Sequence, residues 1–184
     1  MAGEKRKNHS RIILLLAMML LPGLVSAVPD PELARAIAQL PEQDLLVYHD
    51  ADSQYQVTVF TDVNCPFSRS LHWQLEDYLM YGIAVRYAAF PNLGNALGQM
   101  HGVWCSTDPK AAMDAAMRGE PVIVPGCHSE AVSAQQALAH RQRFTATPTI
   151  ITPSGMILYG HVPAARLLEV LEDEESHASG DQIQ

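Results

Sequence analysis

Residues 56–90 decide the fold, and they open with QVTVFTDVNCPFS (residues 56–68). The run over residues 56–61 is rich in β-branched side chains and predicts a buried strand. From Cys65 onward the apolar residues recur at steps of three and four, which is typical of a helix that buries one face. Residues 83–90 form a second apolar run of strand length. The stretch therefore predicts a strand-helix-strand unit with a cysteine where its helix begins.

The elements outside this unit indicate an α/β domain with a helical segment inserted before its last two strands. The helix that begins at Cys65 is predicted to end near Tyr81, and Asp108 followed by Pro109 is typical of another helix start. The remaining elements are a lead-in helix (31–40), a short strand (45–48), two helices (111–117 and 129–144), a hairpin (149–152 and 156–159) and a closing helix (163–174).

The first 27 residues have the pattern of a secretory signal peptide. Four basic residues precede an unbroken apolar run from Ile12 to Leu21, and residues 25–27 (Val-Ser-Ala) place small residues at the cleavage positions. An uncleaved membrane anchor is the alternative, but the apolar run is short for a membrane span. We therefore expect cleavage after Ala27 and a mature protein in the periplasm.

The charge balance argues against nucleic-acid binding. The whole chain has 12 basic and 20 acidic residues, and residues 28–184 keep 8 and 19 of them, which gives a formal charge of −11. Binding to a phosphate backbone needs clustered lysine and arginine side chains that replace counterions. We therefore expect no nucleic acid among the partners of this protein.

Three cysteines, Cys65, Cys105 and Cys127, follow the predicted signal peptide. Export to an oxidising compartment favours disulfides. Because three is an odd number, one thiol must be free or must pair with another molecule. Cys105, Cys127 and His128 suggest a metal site, but a fourth ligand at zinc-like spacing is missing, and we expect no metal. The other histidines are scattered, and we expect His72 on a helix surface rather than as a catalytic base.

The sequence Cys65-Pro66-Phe67-Ser68 lies where a strand ends and a helix begins. Unpaired N–H groups and partial positive charge at a helix N-terminus favour the thiolate, which is the attacking species in disulfide exchange. The alternative is a buried, unreactive cysteine, which is a common arrangement. Asn64 and Pro66 on either side favour an exposed turn, so we interpret Cys65 as a reactive thiol.

Thr147-Pro148 directly precedes the strand predicted over residues 149–152. Proline is tolerated at the start of a strand, where a missing N–H donor does not interrupt the ladder, and the bond before proline is the one that can be cis. A cis proline would leave the preceding backbone free to pair with an extended peptide. An ordinary trans proline is the alternative, and the sequence leaves both open.

Several motifs, in the same order along the chain, resemble the catalytic domain of the DsbC/DsbG periplasmic disulfide isomerases. The resemblance extends from about Leu33 to Glu172, and its motifs are FTDVNC (60–65), Leu71-His72, Asp77-Tyr78, GIAVRYAAFP (82–91), Trp104-Cys105, Cys127 and Thr147-Pro148. It implies an α/β, thioredoxin-like fold with an inserted helical subdomain over about residues 92–143. It also implies a structural disulfide between Cys105 and Cys127, which leaves Cys65 as the free thiol.

Two departures from that family change the expected chemistry and assembly. Ser68 stands where the family has a second cysteine, and the family's N-terminal dimerisation domain has no counterpart here, so we expect a monomer. The predicted segments are a signal peptide (1–27), a linker helix (28–44), a thioredoxin-like domain (45–175) and a flexible tail (176–184).

The resemblance implies thiol–disulfide interchange, without a cofactor, on exported client proteins that contain cysteines. With Ser68 in the motif, an oxidase or reductase cycle lacks its resolving thiol, whereas isomerisation needs only the attacking thiol of Cys65. We assign Cys65 as the nucleophile and Ser68 as a hydroxyl that stabilises its thiolate. The peptide-binding residues that we expect are Pro66, Phe67, Thr147 and Pro148. A membrane thiol reductase or a small thiol is a candidate redox partner.

Two other functions remain open at this stage. A thioredoxin-like fold that has lost catalysis could bind unfolded peptides as a chaperone or assembly factor, for example for a conjugation or secretion apparatus. A monothiol carrier would instead accept glutathione or another small thiol on Cys65. All three functions share one fold, and a fold by itself does not decide function.

Overall fold

The computed structural model describes residues 28–49 and 51–180. The predicted signal peptide lies outside the described residues, and so does the end of the predicted tail, residues 181–184. The elements, in chain order, are α1 (Pro31–Ala38), a 3-10 turn (Glu42–Asp44), β1 (Leu46–Tyr48), β2 (Tyr55–Thr61), α2 (Pro66–His72), α3 (Leu75–Met80), β3 (Ile83–Ala89), α4 (Ala96–Trp104), α5 (Pro109–Met117), α6 (Glu130–Arg141), β4 (Thr149–Ile151), β5 (Ile157–Tyr159) and α7 (Ala164–Gly180).

The five strands form one mixed sheet in the order β1-β3-β2-β4-β5. The central pair, β2 and β3, is parallel over seven residues because α2 and α3 supply the crossover between them. β4 runs antiparallel to β2, with Thr149 opposite Phe60. As a result, the start of β4 lies beside the end of β2, and the segments before β4 and after β2 meet at one edge of the sheet.

Both faces of the sheet are covered, which explains why β2 is apolar at most positions. Val57 and Val59 point to a core formed with α2, α3, α4, α5 and α7. Phe60 points to the other side, where it packs with α1, α6 and Phe144, and the rings of Phe60 and Phe144 have centroids 5.0 Å apart. The inserted segment between β3 and β4 contains three helices, α4, α5 and α6.

The helix predicted from Cys65 to Tyr81 is wrong in one respect, because the structure breaks it into α2 and α3. Gln74 leaves helical geometry at φ −107° and ψ 17°. Its side-chain oxygen lies 3.1 Å from Nε2 of His161, which belongs to the segment before α7. This contact joins residues far apart in sequence, so the local apolar pattern carries no sign of it.

The predicted tail is also wrong over residues 176–180, because α7 continues to Gly180. Acidic residues in its middle are tied to the sheet: Thr152 donates a hydrogen bond to Glu174 at 2.6 Å, and Tyr55 donates one to Glu175 at 2.9 Å. These two contacts hold α7 against residues of β2 and of the turn after β4, and the helix continues for five residues beyond Glu175. Within residues 28–49 and 51–180, no helix combines the length and apolar composition that crossing a bilayer requires.

Two glycines of α4 provide a matched test of how this helix packs. An added Cβ at Gly102 would overlap the backbone carbonyl of Val122, whereas a Cβ at Gly98 would meet open space. We expect Gly102→Ala to lower the free energy of unfolding by about 1–3 kcal/mol through overpacking. Gly98→Ala should raise it by up to about 1 kcal/mol, because alanine has the higher helix propensity. Urea unfolding of both variants measures the difference, and equal effects would show that α4 does not pack on the segment around Val122.

Candidate functional site

The three cysteines divide into one disulfide and one free thiol. Cys105, directly after α4, is bonded to Cys127, and Cys65 is the free cysteine. The bridge therefore joins the end of α4 to the segment that leads into α6. This is the pairing that the resemblance implies.

Cys65 is the N-cap residue of α2, with Pro66 at the first helical position. Its backbone is fixed on both sides: its N–H donates to the carbonyl of Asp62 at 3.0 Å, and its carbonyl accepts from the N–H of Arg69 at 3.0 Å. Proline disfavours helical geometry in the residue before it and is well suited to the first helical position, so Cys65 is extended and the helix begins at Pro66.

The sulfur of Cys65 is less accessible than the sequence indicated. The residue is only 5% exposed, and its thiol donates a hydrogen bond to the carbonyl oxygen of Thr147 at 2.9 Å. The expectation of an exposed turn is therefore wrong for Cys65 itself, although its neighbours Pro66 and Phe67 are exposed. The cover comes from the segment before β4, which no property of the residues next to Cys65 could indicate.

Ser68 does not contact the sulfur in the way that we expected. It is fully buried, and its hydroxyl oxygen accepts a hydrogen bond from the backbone N–H of Asp62 at 3.4 Å. The hydrogen-bond partner of the Cys65 thiol is Thr147 instead. The hydroxyl at position 68 therefore satisfies the end of β2 rather than tuning the thiol.

The peptide bond between Thr147 and Pro148 is cis, and both residues are buried. The carbonyl of Thr147 accepts from Cys65, and the carbonyl of Pro148 accepts from the N–H of Gly160 at 2.8 Å. The Thr147 backbone that we expected to be free for a peptide thus has its carbonyl in use while Cys65 is a thiol. The structure brings Cys65, Thr147 and Pro148 together and places Phe67 outside them, 62% exposed.

Asp62 is the residue at this site that sequence reasoning missed. Its side chain is completely buried, with one oxygen 2.7 Å from the N–H of Asn64 and the other 2.6 Å and 2.8 Å from the N–H groups of Asn92 and Leu93. An aspartate directly after a buried strand, two residues before the N–H that it accepts from, is the signature of an Asx turn. That pattern was available in the sequence and would have identified the local half of this arrangement.

Other side chains hold the turn that precedes Cys65. The amide nitrogen of Asn64 donates to the carbonyl of Leu93 and to the side-chain oxygen of Asn95, both at 2.9 Å. The Arg69 guanidinium donates to the carbonyl of Val63 at 2.7 Å. The backbone around the candidate nucleophile is therefore fixed by side chains from three segments of the chain.

Residues 42–175 match a family model described as a thioredoxin-like domain. The chain belongs to this thioredoxin-like family. DsbC, the thiol:disulfide interchange protein of Escherichia coli K12, is 32% identical over 142 residues, which cover 76% of this chain and 60% of DsbC. DsbC of Haemophilus influenzae is 33% identical over 138 residues, which cover 72% of this chain and 58% of that protein.

A solved structure supports the same fold. The disulfide interchange protein from Neisseria gonorrhoeae superposes with a TM-score of 0.62 at 23% identity, covering 72% of this chain and 96% of that one. The resemblance to DsbC and the thioredoxin-like α/β fold are therefore confirmed. The chain spans about 60% of the length of the curated DsbC relatives, and the assignment of individual site residues stays a prediction.

His72 lies inside the thioredoxin-like domain rather than on its surface, which corrects our expectation. It is 7% exposed, and its Nε2 lies 3.0 Å from a carboxylate oxygen of Asp114 on α5. Its ring packs against those of Tyr48 and Tyr87, with centroids 6.1 Å and 5.9 Å away. The ring therefore links α2 to α5 and to the sheet.

Burial lowers the pKa of His72 below its ordinary value of 6.5, although the Asp114 carboxylate opposes this effect in part. The unfolded chain then binds a proton that the folded chain resists, so stability falls as the pH drops through about 6.5. We expect the free energy of unfolding of the wild-type protein to decrease as the pH falls from 7.5 to 5. The free energy of unfolding of the His72→Gln variant should decrease less steeply over the same range. Urea titrations at several pH values measure both slopes, and parallel slopes would contradict the assignment to His72.

Proposed function

We propose that this protein is a periplasmic thiol–disulfide interchange protein that isomerises disulfides of exported proteins through one thiol, Cys65. The observation that carries the proposal is the division of the cysteines: Cys105 and Cys127 are joined, and Cys65 stands alone at the start of α2. Similarity to DsbC supports the reaction class. The signal-like residues 1–27 support export to the periplasm.

The proposed reaction exchanges disulfides without net oxidation. The Cys65 thiol gives its proton to solvent, and the thiolate attacks one sulfur of a misplaced client disulfide. A bond forms between Cys65 and that sulfur, the client disulfide breaks, and the other client sulfur leaves as a thiolate. A client thiolate then attacks the client sulfur of the mixed disulfide, forms the new disulfide and returns Cys65 as a thiolate.

Ser68 limits the reaction to this cycle. A hydroxyl does not displace a sulfur from a mixed disulfide, so the protein itself cannot release a client by oxidising its own motif. Net oxidation of a client dithiol, or net reduction of a client disulfide, would need a second thiol. If the mixed disulfide between Cys65 and a client is not resolved by a client thiol, another thiol must release Cys65. We propose a membrane thiol reductase or a small thiol as this redox partner.

The hydrogen bond to Thr147 gives the docking residues a defined role. In the resting thiol, Cys65 donates to the Thr147 carbonyl at 2.9 Å. In a mixed disulfide the sulfur carries no hydrogen, so that carbonyl is released and can accept a backbone N–H from the client. Pro66 and Phe67 directly follow Cys65 and are exposed, and we propose that they and the Thr147-Pro148 segment contact the client chain.

The burial of Cys65 favours one alternative. A residue that is 5% exposed is a poor target for bulky disulfides, whereas Phe67, Leu93 and Leu97 are 62%, 44% and 45% exposed. A chaperone or assembly factor would use such apolar side chains and would not need the thiol. The two functions differ in whether Cys65 is required.

Refolding of scrambled ribonuclease, together with suppression of client aggregation, separates these functions. We expect wild-type protein to accelerate recovery of ribonuclease activity and Cys65→Ala to reduce it to the uncatalysed rate, because the attacking sulfur is gone. Ser70→Ala, at a half-buried position of the same helix, should retain the wild-type rate and serves as the control. Catalysis by Cys65→Ala, or aggregation suppression without any catalysis by the wild type, would favour the chaperone.

Restoring a thiol at position 68 tests the proposed role of Ser68. We expect Ser68→Cys to shorten the lifetime of the mixed disulfide with a client at least tenfold, because an intramolecular thiol competes at high effective concentration. The lifetime is measured by acid quenching and mass spectrometry after mixing with a scrambled client. An unchanged lifetime would show that a side chain at position 68, directed toward Asp62 in this structure, does not reach the sulfur of Cys65.

A further inference from the structure

Among the residues that the structure describes, the Asp62 carboxyl group is buried and has no cationic partner. Acidic side chains are almost never fully buried unless they are paired, and Asp62 is completely buried. Among the described residues no lysine, arginine or histidine forms an ion pair with it. Its carboxylate is instead satisfied by three backbone N–H groups at 2.6–2.8 Å. Hydrogen bonds to an ionised acceptor are about twice as strong as neutral ones.

The three donors come from two loops on either side of the site. Asn64 is adjacent to Cys65, and Asn92 and Leu93 follow β3. The carboxylate therefore bridges the loop that carries the sulfur to the loop that leads into α4. The Asn64 side chain makes a second link between the same loops through its bond to the Leu93 carbonyl.

The backbone of Asp62 also contacts Cys65 and Ser68, the first and last residues of the sequence Cys65-Pro66-Phe67-Ser68. Its carbonyl accepts from the N–H of Cys65 at 3.0 Å, and its N–H donates to the Ser68 hydroxyl at 3.4 Å. A displacement of Asp62 would therefore be transmitted directly to Cys65. The turn from Asp62 to Cys65 is thus held at its first residue by the contacts of Asp62.

We propose that Asp62 is a positioning residue, whose carboxylate holds the turn at residues 62–65 against the loop at residues 90–95 and so fixes Cys65 for exchange. This inference rests on the proposed function. The carboxylate accepts hydrogen bonds on both of its oxygens, whereas an asparagine at this position offers one acceptor oxygen and directs an N–H₂ group at the remaining donors. Asp62→Asn therefore keeps the size of the side chain and removes one half of the bridge.

The first measurement reports on position alone. We expect Asp62→Asn to accelerate amide hydrogen exchange at Asn92 and Leu93, and also at Cys65, by at least tenfold in the folded protein. Thr152→Val, which removes a buried hydroxyl at the far end of β4, is the control for general destabilisation and should leave these amides within twofold of wild type. Unchanged exchange at Cys65 in Asp62→Asn would overturn the proposal.

The second measurement reports on the reaction. We expect Asp62→Asn to lower kcat for scrambled ribonuclease at least tenfold with a smaller change in KM, and Thr152→Val to retain the wild-type kcat. Equal turnover by Asp62→Asn and wild type would overturn the inference and leave the proposed function in place. Wild-type protein without Cys65-dependent turnover would overturn the proposed function, and the exchange data would still decide whether Asp62 positions Cys65.

A second variant covers the case in which Asp62→Asn does not fold. Asn64→Ala removes the side-chain link from a half-buried position and leaves the carboxylate intact. We expect Asn64→Ala to accelerate amide hydrogen exchange at Cys65 and to lower kcat, each by about threefold. Both changes have the same direction as those expected for Asp62→Asn. If amide exchange at Cys65 in this variant equals that of the wild type, the proposal that the loop at residues 90–95 holds the turn at residues 62–65 is overturned.

Discussion

The hydrogen bond from the Cys65 thiol to the Thr147 carbonyl joins residues 82 positions apart, and the candidate site depends on it. The contact exists because β4 runs antiparallel to β2 and begins where β2 ends, with Thr149 opposite Phe60. The chain must therefore return from α6 across the end of the sheet, directly over the residue that caps α2. A shift in the pairing of β4 with β2 would move Thr147 away from the sulfur.

This contact exists only in one state of the sulfur, because an S–H donates to the Thr147 carbonyl and a sulfur in a mixed disulfide carries no hydrogen. A neutral hydrogen bond contributes about 0.5–1.5 kcal/mol net, so its loss is a modest cost that a client's backbone N–H would offset at the same carbonyl. Under the proposed function, breaking this bond is part of docking a client.

The sequence was informative wherever the cause was local, and less so elsewhere. The strand at residues 55–61, the start of α2 at Pro66 and the cap of α5 at Asp108 follow from residue types within a few positions. The cover on Cys65, the break at Gln74 and the acceptor role of Ser68 each depend on a partner brought in by the fold. Family resemblance added the pairing of Cys105 with Cys127, which an odd number of cysteines leaves ambiguous.

Position 68 shows how this fold can accommodate the loss of a cysteine. The residue there is fully buried, and its neighbour across the turn is the N–H of Asp62 at the end of the central strand. An unsatisfied buried N–H costs about 1–3 kcal/mol, and a serine hydroxyl is a better acceptor for it than a thiol sulfur. Under the proposed function, serine takes the place of the resolving thiol and also satisfies the N–H at the end of β2. A motif with a single thiol is therefore compatible with a stable and well-positioned site.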